Sequence, residues 1–205
     1  MGVFQNEAQI ESTPHLPGSK PGDLIYADLN KDKVIDELDR TQIGDPNIPF
    51  FYGFDANVAY KGFDASISIQ GVAGNDLFNA NRMFRYGTEN FDKDFVNHRW
   101  HGENTSNSYP SASWSNPTTP SSFYVESGSY LRVKSIQLGY SLPASLLTKL
   151  SVKKLRIYLN AENPFTLTKY NGFSPEVGGS PLMTGVDRNT YPLSSVYSIG
   201  LNLSF

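Results

Sequence analysis

Five stretches of this chain alternate apolar and polar side chains with a period of two, and the connections between them alternate short and long. In "FFYGFDANVAY", from Phe50, the residues Phe50, Tyr52, Phe54, Ala56, Val58 and Tyr60 share one face. After a "KG" turn, "FDASISIQGVA" opposes Phe63, Ala65, Ile67 and Ile69 to Asp64, Ser66, Ser68 and Gln70, which predicts a tight hairpin. "SYLRVKSIQLGYSLP" changes parity near Ser135, because Leu131 and Val133 are out of phase with Ile136, Leu138 and Tyr140, and a bulge there restores one apolar face. "KKLRIYLNAEN" sets Leu155, Ile157, Leu159 and Ala161 against Arg156, Tyr158, Asn160 and Glu162, and "VYSIGLNLSF" alternates down to Phe205.

Strands one and two, and three and four, are joined by short or modest turns. Long segments, about 74–129 and 165–195, separate two from three and four from five. All the long loops then fall at one end of an up-and-down sheet. Together with strands of about ten residues that carry aromatic ends, this is the pattern of an outer-membrane barrel. A soluble sandwich spaces its strands more evenly. Five strands do not close, since bacterial barrels need at least about eight, and an open edge in hydrocarbon leaves backbone groups unsatisfied. The pattern is therefore that of one part of a larger barrel.

Composition agrees with an all-β chain. The 205 residues include 13 Phe, 12 Tyr, 17 Gly and 13 Pro, rich in aromatics and turn formers and poor in good helix formers. A net charge of -3 gives no electrostatic reason to expect nucleic acid. The absence of cysteine excludes disulfides, thiol catalysis and Cys-ligated zinc within it. Met1–His15 carries no basic region followed by an apolar run and does not read as a secretory signal. No apolar run is long enough for a membrane helix.

The stretches "KPGDLIYADLNKDKVIDELDRTQIGDPNIPFFYGFDANVAYKGFD", "SISIQGVAGNDLFN", "SSFYVESGSYLRVKSIQLGYSLP", "LRIYLNAENPFTLTKYNGFSPEV" and "SIGLNLSF" resemble, in order and spacing, the SusC/RagA-type TonB-dependent transporters of Bacteroidota outer membranes. The resemblance implies a barrel of about 22 strands, of which this chain supplies five C-terminal antiparallel ones. It also implies an N-terminal plug opened by TonB, a SusD-like surface lipoprotein as lid, and import of glycans, oligosaccharides or peptides. The plug and the TonB-contact segment do not appear in this stretch. Phe205 at the end of an alternating strand resembles the signal read by the barrel-assembly machinery. With that end in the periplasm, both long loops lie outside the cell, and residues 1–49 read as an extracellular loop segment preceding barrel residues 50–205.

Within residues 28–39, "DLNKDKVIDELD", side-chain oxygens recur at calcium-loop spacing. Asp28, Asn30, Asp32, Asp36 and Asp39 are candidate side-chain ligands and Val34 a backbone one, for a structural Ca²⁺. Two positions depart from an EF-hand: the sixth is Lys33 rather than Gly, and the twelfth is Asp39 rather than Glu. The competing reading is a solvated Asp/Asn-rich turn without metal. In the first long loop, Trp100, Tyr109 and Trp114 are candidates for stacking on sugar rings; the competing reading is that they fold the loop on itself or contact the lipoprotein. His98 and His101 lack a recognisable third ligand and read as a surface pair. Asp92, Asp94 and Glu103 read as solvated loop charges. No nucleophile, phosphate-loop or zinc signature is present, so no enzymatic reading is supported. The reading from a different class is a secreted, calcium-stabilised β-sandwich that binds carbohydrate. The two part on what covers the apolar strand faces, lipid or a second sheet.

Overall fold

The computed structural model describes residues 2–83, 90–112, 119–147, 152–178 and 180–205. The chain forms two compact units, Met1–Ile43 with Ala80–Tyr124, and Gly44–Asn79 with Val125–Phe205.

The first unit is built mainly of loop around short helices α1 (Glu7–Ser12), α2 (Ala80–Met83) and α3 (Lys93–His98). Asn6 caps α1 by accepting from the Gln9 amide, and Asp92 caps α3 by accepting from the Phe95 amide, so each helix begins where a side chain satisfies a free backbone donor. Val3, Phe4, Ile10 and Leu24 form a small core, with a backbone bridge between Val3 and Leu24.

The second unit holds β1 (Phe50–Tyr60), β2 (Phe63–Ala73), β3 (Asp76–Asn79), β4 (Val125–Ser127), β5 (Tyr130–Ser141), β6 (Lys154–Thr168), β7 (Val186–Asp187) and β8 (Val196–Ser204), with the short helix α4 (Ala144–Leu147) between β5 and β6. Five of them form one antiparallel sheet in the order β1-β2-β5-β6-β8. These are the five strands expected from the alternation. The long loops add a small sheet that the alternation does not reveal, in which β3 pairs antiparallel with β4 and parallel with β7. Three strands of two to four residues carry too little pattern to be read.

The β1–β2 hairpin closes through Lys61 and Gly62, both at positive φ (47° and 87°), the conformation a two-residue turn needs to match the twist of its strands. A Cβ on Gly62 would lie 2.8 Å from the Ser141 carbonyl, so the turn is also sterically closed to other residues.

The expected bulge is present. Ser135 pairs with Ser68 and Val133 with Ile69, leaving Lys134 without a partner on β2. On the other side, Asn163 and Pro164 bulge opposite Lys134. Pro164, which has no amide to donate, sits where the ladder is already interrupted, and Asn163 takes φ 48°. Leu131 and Val133 thereby join Ile136, Leu138 and Tyr140 on one face, opposite Gly71, Ile69, Ile67, Ala65 and Phe63. Beyond the bulge β6 continues through Phe165 and Leu167 to Thr168.

The register makes the sheet two-sided. Val58, Ala65, Leu138, Leu159 and Ile199 form one cross-strand row, and Tyr60, Phe63, Tyr140, Ile157 and Leu201 the next. This apolar face is open: Val58 is 66%, Leu138 54%, Leu159 53% and Ile199 78% exposed. Large apolar side chains this exposed over five strands require an apolar environment. Among the described residues, no helix is long and apolar enough to cross a membrane, which says nothing of strands.

Candidate functional site: the polar face and the loop clusters

The reverse of the sheet is polar and is organised by two arginines. Arg156 on β6 reaches across β5 to Asp64 on β2, donating Nε to Oδ1 at 2.9 Å and Nη2 to Oδ2 at 2.5 Å, and Nη2 also meets Gln137 Oε1 at 2.8 Å. The guanidinium lies 4.8 Å from the Tyr158 ring centroid. The strand crossed is clear because its residue there is Gly139.

The second arginine, Arg132 on β5, is 3% exposed. Its Nε donates to Thr166 Oγ1 at 2.8 Å, and its Nη1 is ion-paired to Glu176 Oε2. The Tyr130 hydroxyl donates to Glu176 Oε1 at 2.6 Å, and Gln70 Nε2 to the same oxygen at 3.4 Å. Burial works to raise the Glu176 carboxyl, but the Tyr130 hydroxyl and the Arg132 guanidinium outweigh it and hold it below the ordinary range. Glu176 belongs to the loop after β6, which is thereby fixed onto the polar face. At the loop's root, Tyr170 donates its hydroxyl to the fully buried Asp187 at 2.5 Å.

In the 28–39 loop every candidate side chain accepts from backbone. Asp28 takes the amides of Lys31 (2.6 Å) and Lys33 (2.9 Å), and Asn30 that of Asp32 (3.0 Å). Asp32 takes the Val34 amide (2.8 Å) and Asp36 that of Leu38 (2.8 Å). Asp39 takes those of Leu29 (2.7 Å) and Asp36 (3.0 Å). The amide bonds from Asp36 and Leu29 hold the Asp39 carboxyl below its usual range. Lys33, at the sixth position, has φ 71°, the left-handed backbone that glycine supplies at that place in an EF-hand. Ile35 is buried and anchors the loop to its unit. Among the described residues, no three His, Asp or Glu side chains converge closely enough to hold a metal ion. The side-chain oxygens thus stabilise the curled backbone, and coordination would require the same oxygens to be shared with an ion. Asp36, Asp39 and Arg40 also line a cleft of about 600 Å³ with Tyr26, Leu29 and Ile43.

Tyr109 is engaged within its own unit. Its hydroxyl donates to Asp94 Oδ2 at 2.6 Å, its ring meets Phe95, His98 and Phe123, and the Arg82 guanidinium lies 5.7 Å from its centroid. Hydrogen bonding from Tyr109 lowers the Asp94 carboxyl below its usual range. Trp100 donates Nε1 to Gln5 Oε1 at 3.2 Å and packs against Gly22, where a Cβ would come within 2.6 Å of its ring. Trp114 lies outside the described residues. His98 Nδ1 lies 3.0 Å from Asp94 Oδ1, and His101 Nδ1 3.1 Å from the Arg99 carbonyl; the two imidazoles have separate partners. Asp92 caps α3, and Glu103 accepts from Asn6 Nδ2 at 2.6 Å. Phe205 follows β8 and is 77% exposed.

Neither arginine cluster was anticipated as a unit. Asp64 and Arg156 already fell on the polar parity of their strands, and their opposite charges were the available signal. Glu176 had none, because its partner lies 44 residues away in sequence.

No family model matches the chain. Over its whole length it is 34% identical to TonB-dependent receptor P3 of Formosa agariphila, of which it spans 21%. It is 25% identical over its whole length to TonB-dependent receptor SusC of Bacteroides thetaiotaomicron, spanning 20% of that protein. Among solved structures, it matches a chain of the RagAB peptide importer in the 'closed-closed' state with a TM-score of 0.69 at 25% identity, over all of this chain and 22% of that one. The 'open-open' state of the RagAB peptide importer matches 78% of this chain and 17% of that one, with a TM-score of 0.62 at 32% identity. The chain therefore spans about a fifth of the length of the curated relatives it matches.

Proposed function

The chain belongs to the SusC/RagA family of TonB-dependent receptors, outer-membrane β-barrel proteins that are not enzymes, and from that premise we propose that it serves import of oligosaccharides or peptides. The carrying observation is the two-sided sheet. Its apolar face is continuous and exposed over five strands, fit for lipid, while its reverse carries ion pairs whose arginines are buried or nearly so and whose carboxylates stay partly exposed, fit for a polar lumen. The unpaired edges of β1 and β8 are where further strands of the barrel would pair. A sandwich would need a second sheet over the apolar face, and the openness of that face favours the barrel.

In this reading the protein works with a SusD-like surface lipoprotein, is energised by the TonB complex through parts outside this stretch, and is inserted by the barrel-assembly machinery acting on the strand that ends at Phe205. The long loops lie on the outer side. The structurally similar RagAB is a peptide importer, which supports peptides as cargo; the similarity to the receptor SusC supports the family link. Trp100 and the cleft beside Arg40 are the surfaces offered to cargo or lid. The 28–39 loop is proposed as a brace that takes up calcium as a structural ion, supported by its ligand spacing and by the left-handed backbone at Lys33.

The test is uptake by cells that express the full-length protein with its neighbouring lipoprotein, using labelled oligosaccharide and oligopeptide pools in separate arms. TonB-dependent accumulation in one arm is the expected result. A full-length product that partitions into the soluble fraction without detergent overturns the reading.

A further inference from the structure

The polar row Gln70, Arg132 and Thr166 runs across β2, β5 and β6 and forms a seat for one carboxylate. The bond from Arg132 Nε to Thr166 Oγ1 aims the guanidinium, and its other edge meets Glu176. Tyr130 and Gln70 direct their donors at the same carboxylate. Three donors from two strands converge on a group that the sheet itself does not carry. It is delivered by the loop after β6.

Besides Glu176, the described residues of that loop are held by the Asn171 amide, which donates to Glu126 Oε2 at 2.8 Å, and by the burial of Ser174 and Pro175. Its largest apolar side chain, Phe173, is 70% exposed. Burial between 171 and 178 is confined to Ser174 and Pro175, neither of which brings a large apolar surface. A Cβ at Gly178 would meet nothing within 4 Å. The root is firm at Tyr170, Asp187 and the Asn171 amide, so the segment is tethered at its base, and further along Glu176 supplies its ion pair to the sheet. The Glu176 side chain is 33% exposed and that of Arg132 only 4%, so water or another anion can reach the carboxylate while the guanidinium stays fixed in the wall.

We propose that segment 171–178 is a latch on the transport path, held inward by Glu176 in its seat of Arg132, Tyr130 and Gln70, and that cargo passes only when this carboxylate leaves the seat. The proposal rests on the import reading, because it takes the polar face as the lumen wall. A latch held by ionic and hydrogen bonds can exchange its partners for water or for the anionic groups of a passing cargo. A latch held by buried apolar packing could not.

The experiment replaces the ionic latch by a covalent one in the full-length protein. This stretch has no cysteine, so a Gln70→Cys/Glu176→Cys pair can be bridged by a short bis-methanethiosulfonate and released by reductant. Uptake falling at least tenfold when bridged and returning on reduction is expected; equal uptake in both states overturns the latch. In parallel, Glu176→Gln removes the charge and preserves the shape, and hydrogen exchange in 171–178 should quicken at least tenfold with exchange in β5 and β6 unchanged. Unchanged exchange in the loop overturns the proposal even if the cysteine pair fails to assemble. Absence of TonB-dependent uptake in the wild type counts against the import reading alone, since the exchange measurement still decides the latch.

Discussion

Arg156 and Asp64 clasp each other across an intervening strand, with Gly139 of β5 beneath the bond. A Cβ at Gly139 would stand 2.5 Å from Arg156 Nη2 and 2.6 Å from Asp64 Oδ1. Gly139→Val should therefore destabilise the folded barrel by about 1–3 kcal/mol through overpacking. Urea unfolding of the protein in vesicles reads this directly. In Asp64→Asn the carboxylate is gone, and Gly139→Val in that background should be milder, a coupling that a double-mutant cycle detects.

Leu159 and Asn160 are neighbours in sequence on opposite faces of β6. Leu159→Arg places a charge on the apolar face and should cost up to about 2–4 kcal/mol of folding free energy in a bilayer. Asn160→Arg on the polar reverse should cost far less. Equal effects in vesicle unfolding would mean that the apolar face does not meet lipid.

Lys33 occupies a left-handed backbone position, φ 71°. Lys33→Gly should stabilise its loop by roughly 1 kcal/mol and tighten calcium binding. Calorimetric titration of calcium should give heat with wild type and Lys33→Gly and much less with Asp32→Ala. Identical heats in all three would leave the loop as a metal-free turn.

The Asp39 carboxyl accepts amides from Asp36 and Leu29, which depress its pKa on folding. The folded state then binds fewer protons than the unfolded one, so the contribution to loop stability is complete above the ordinary carboxylate value. It fades as pH falls through the depressed one. Amide exchange at Leu29 and Asp36, followed between about pH 2 and pH 6 after correction for intrinsic rates, should show protection lost at the acidic end. Asp39→Asn should flatten that profile.

Phe205 closes the alternating last strand and is exposed. Deleting it should lower the folded, outer-membrane fraction several-fold, read as heat-modifiable mobility on gels, while Phe205→Tyr retains most of it. An unchanged folded fraction on deletion would remove Phe205 from the assembly signal.

Among the site residues, the sequence was most informative where the governing interaction is local. Positive φ at Lys33 follows from the curl that alternating Asp and Asn side chains impose within twelve residues, and the KG turn follows from two adjacent φ values. Trp100 and Tyr109 were legible as aromatics in a polar loop, but not their partners. The hydroxyl bond of Tyr109 to Asp94 and the contact of Trp100 with Gly22 depend on how separated segments of the first unit fold together.

By itself the sequence determined the five strands, their two faces and a bulge near Ser135, because side-chain direction alternates along any strand and one face must remain apolar throughout. What only the tertiary structure decided is which polar groups meet on the other face. Asp64 and Arg156 are 92 residues apart, and Arg132 and Glu176 are 44 apart. Those pairs exist because strand register and loop return bring charges within hydrogen-bond range, and a short-range bond leaves no periodic trace in the chain that forms it.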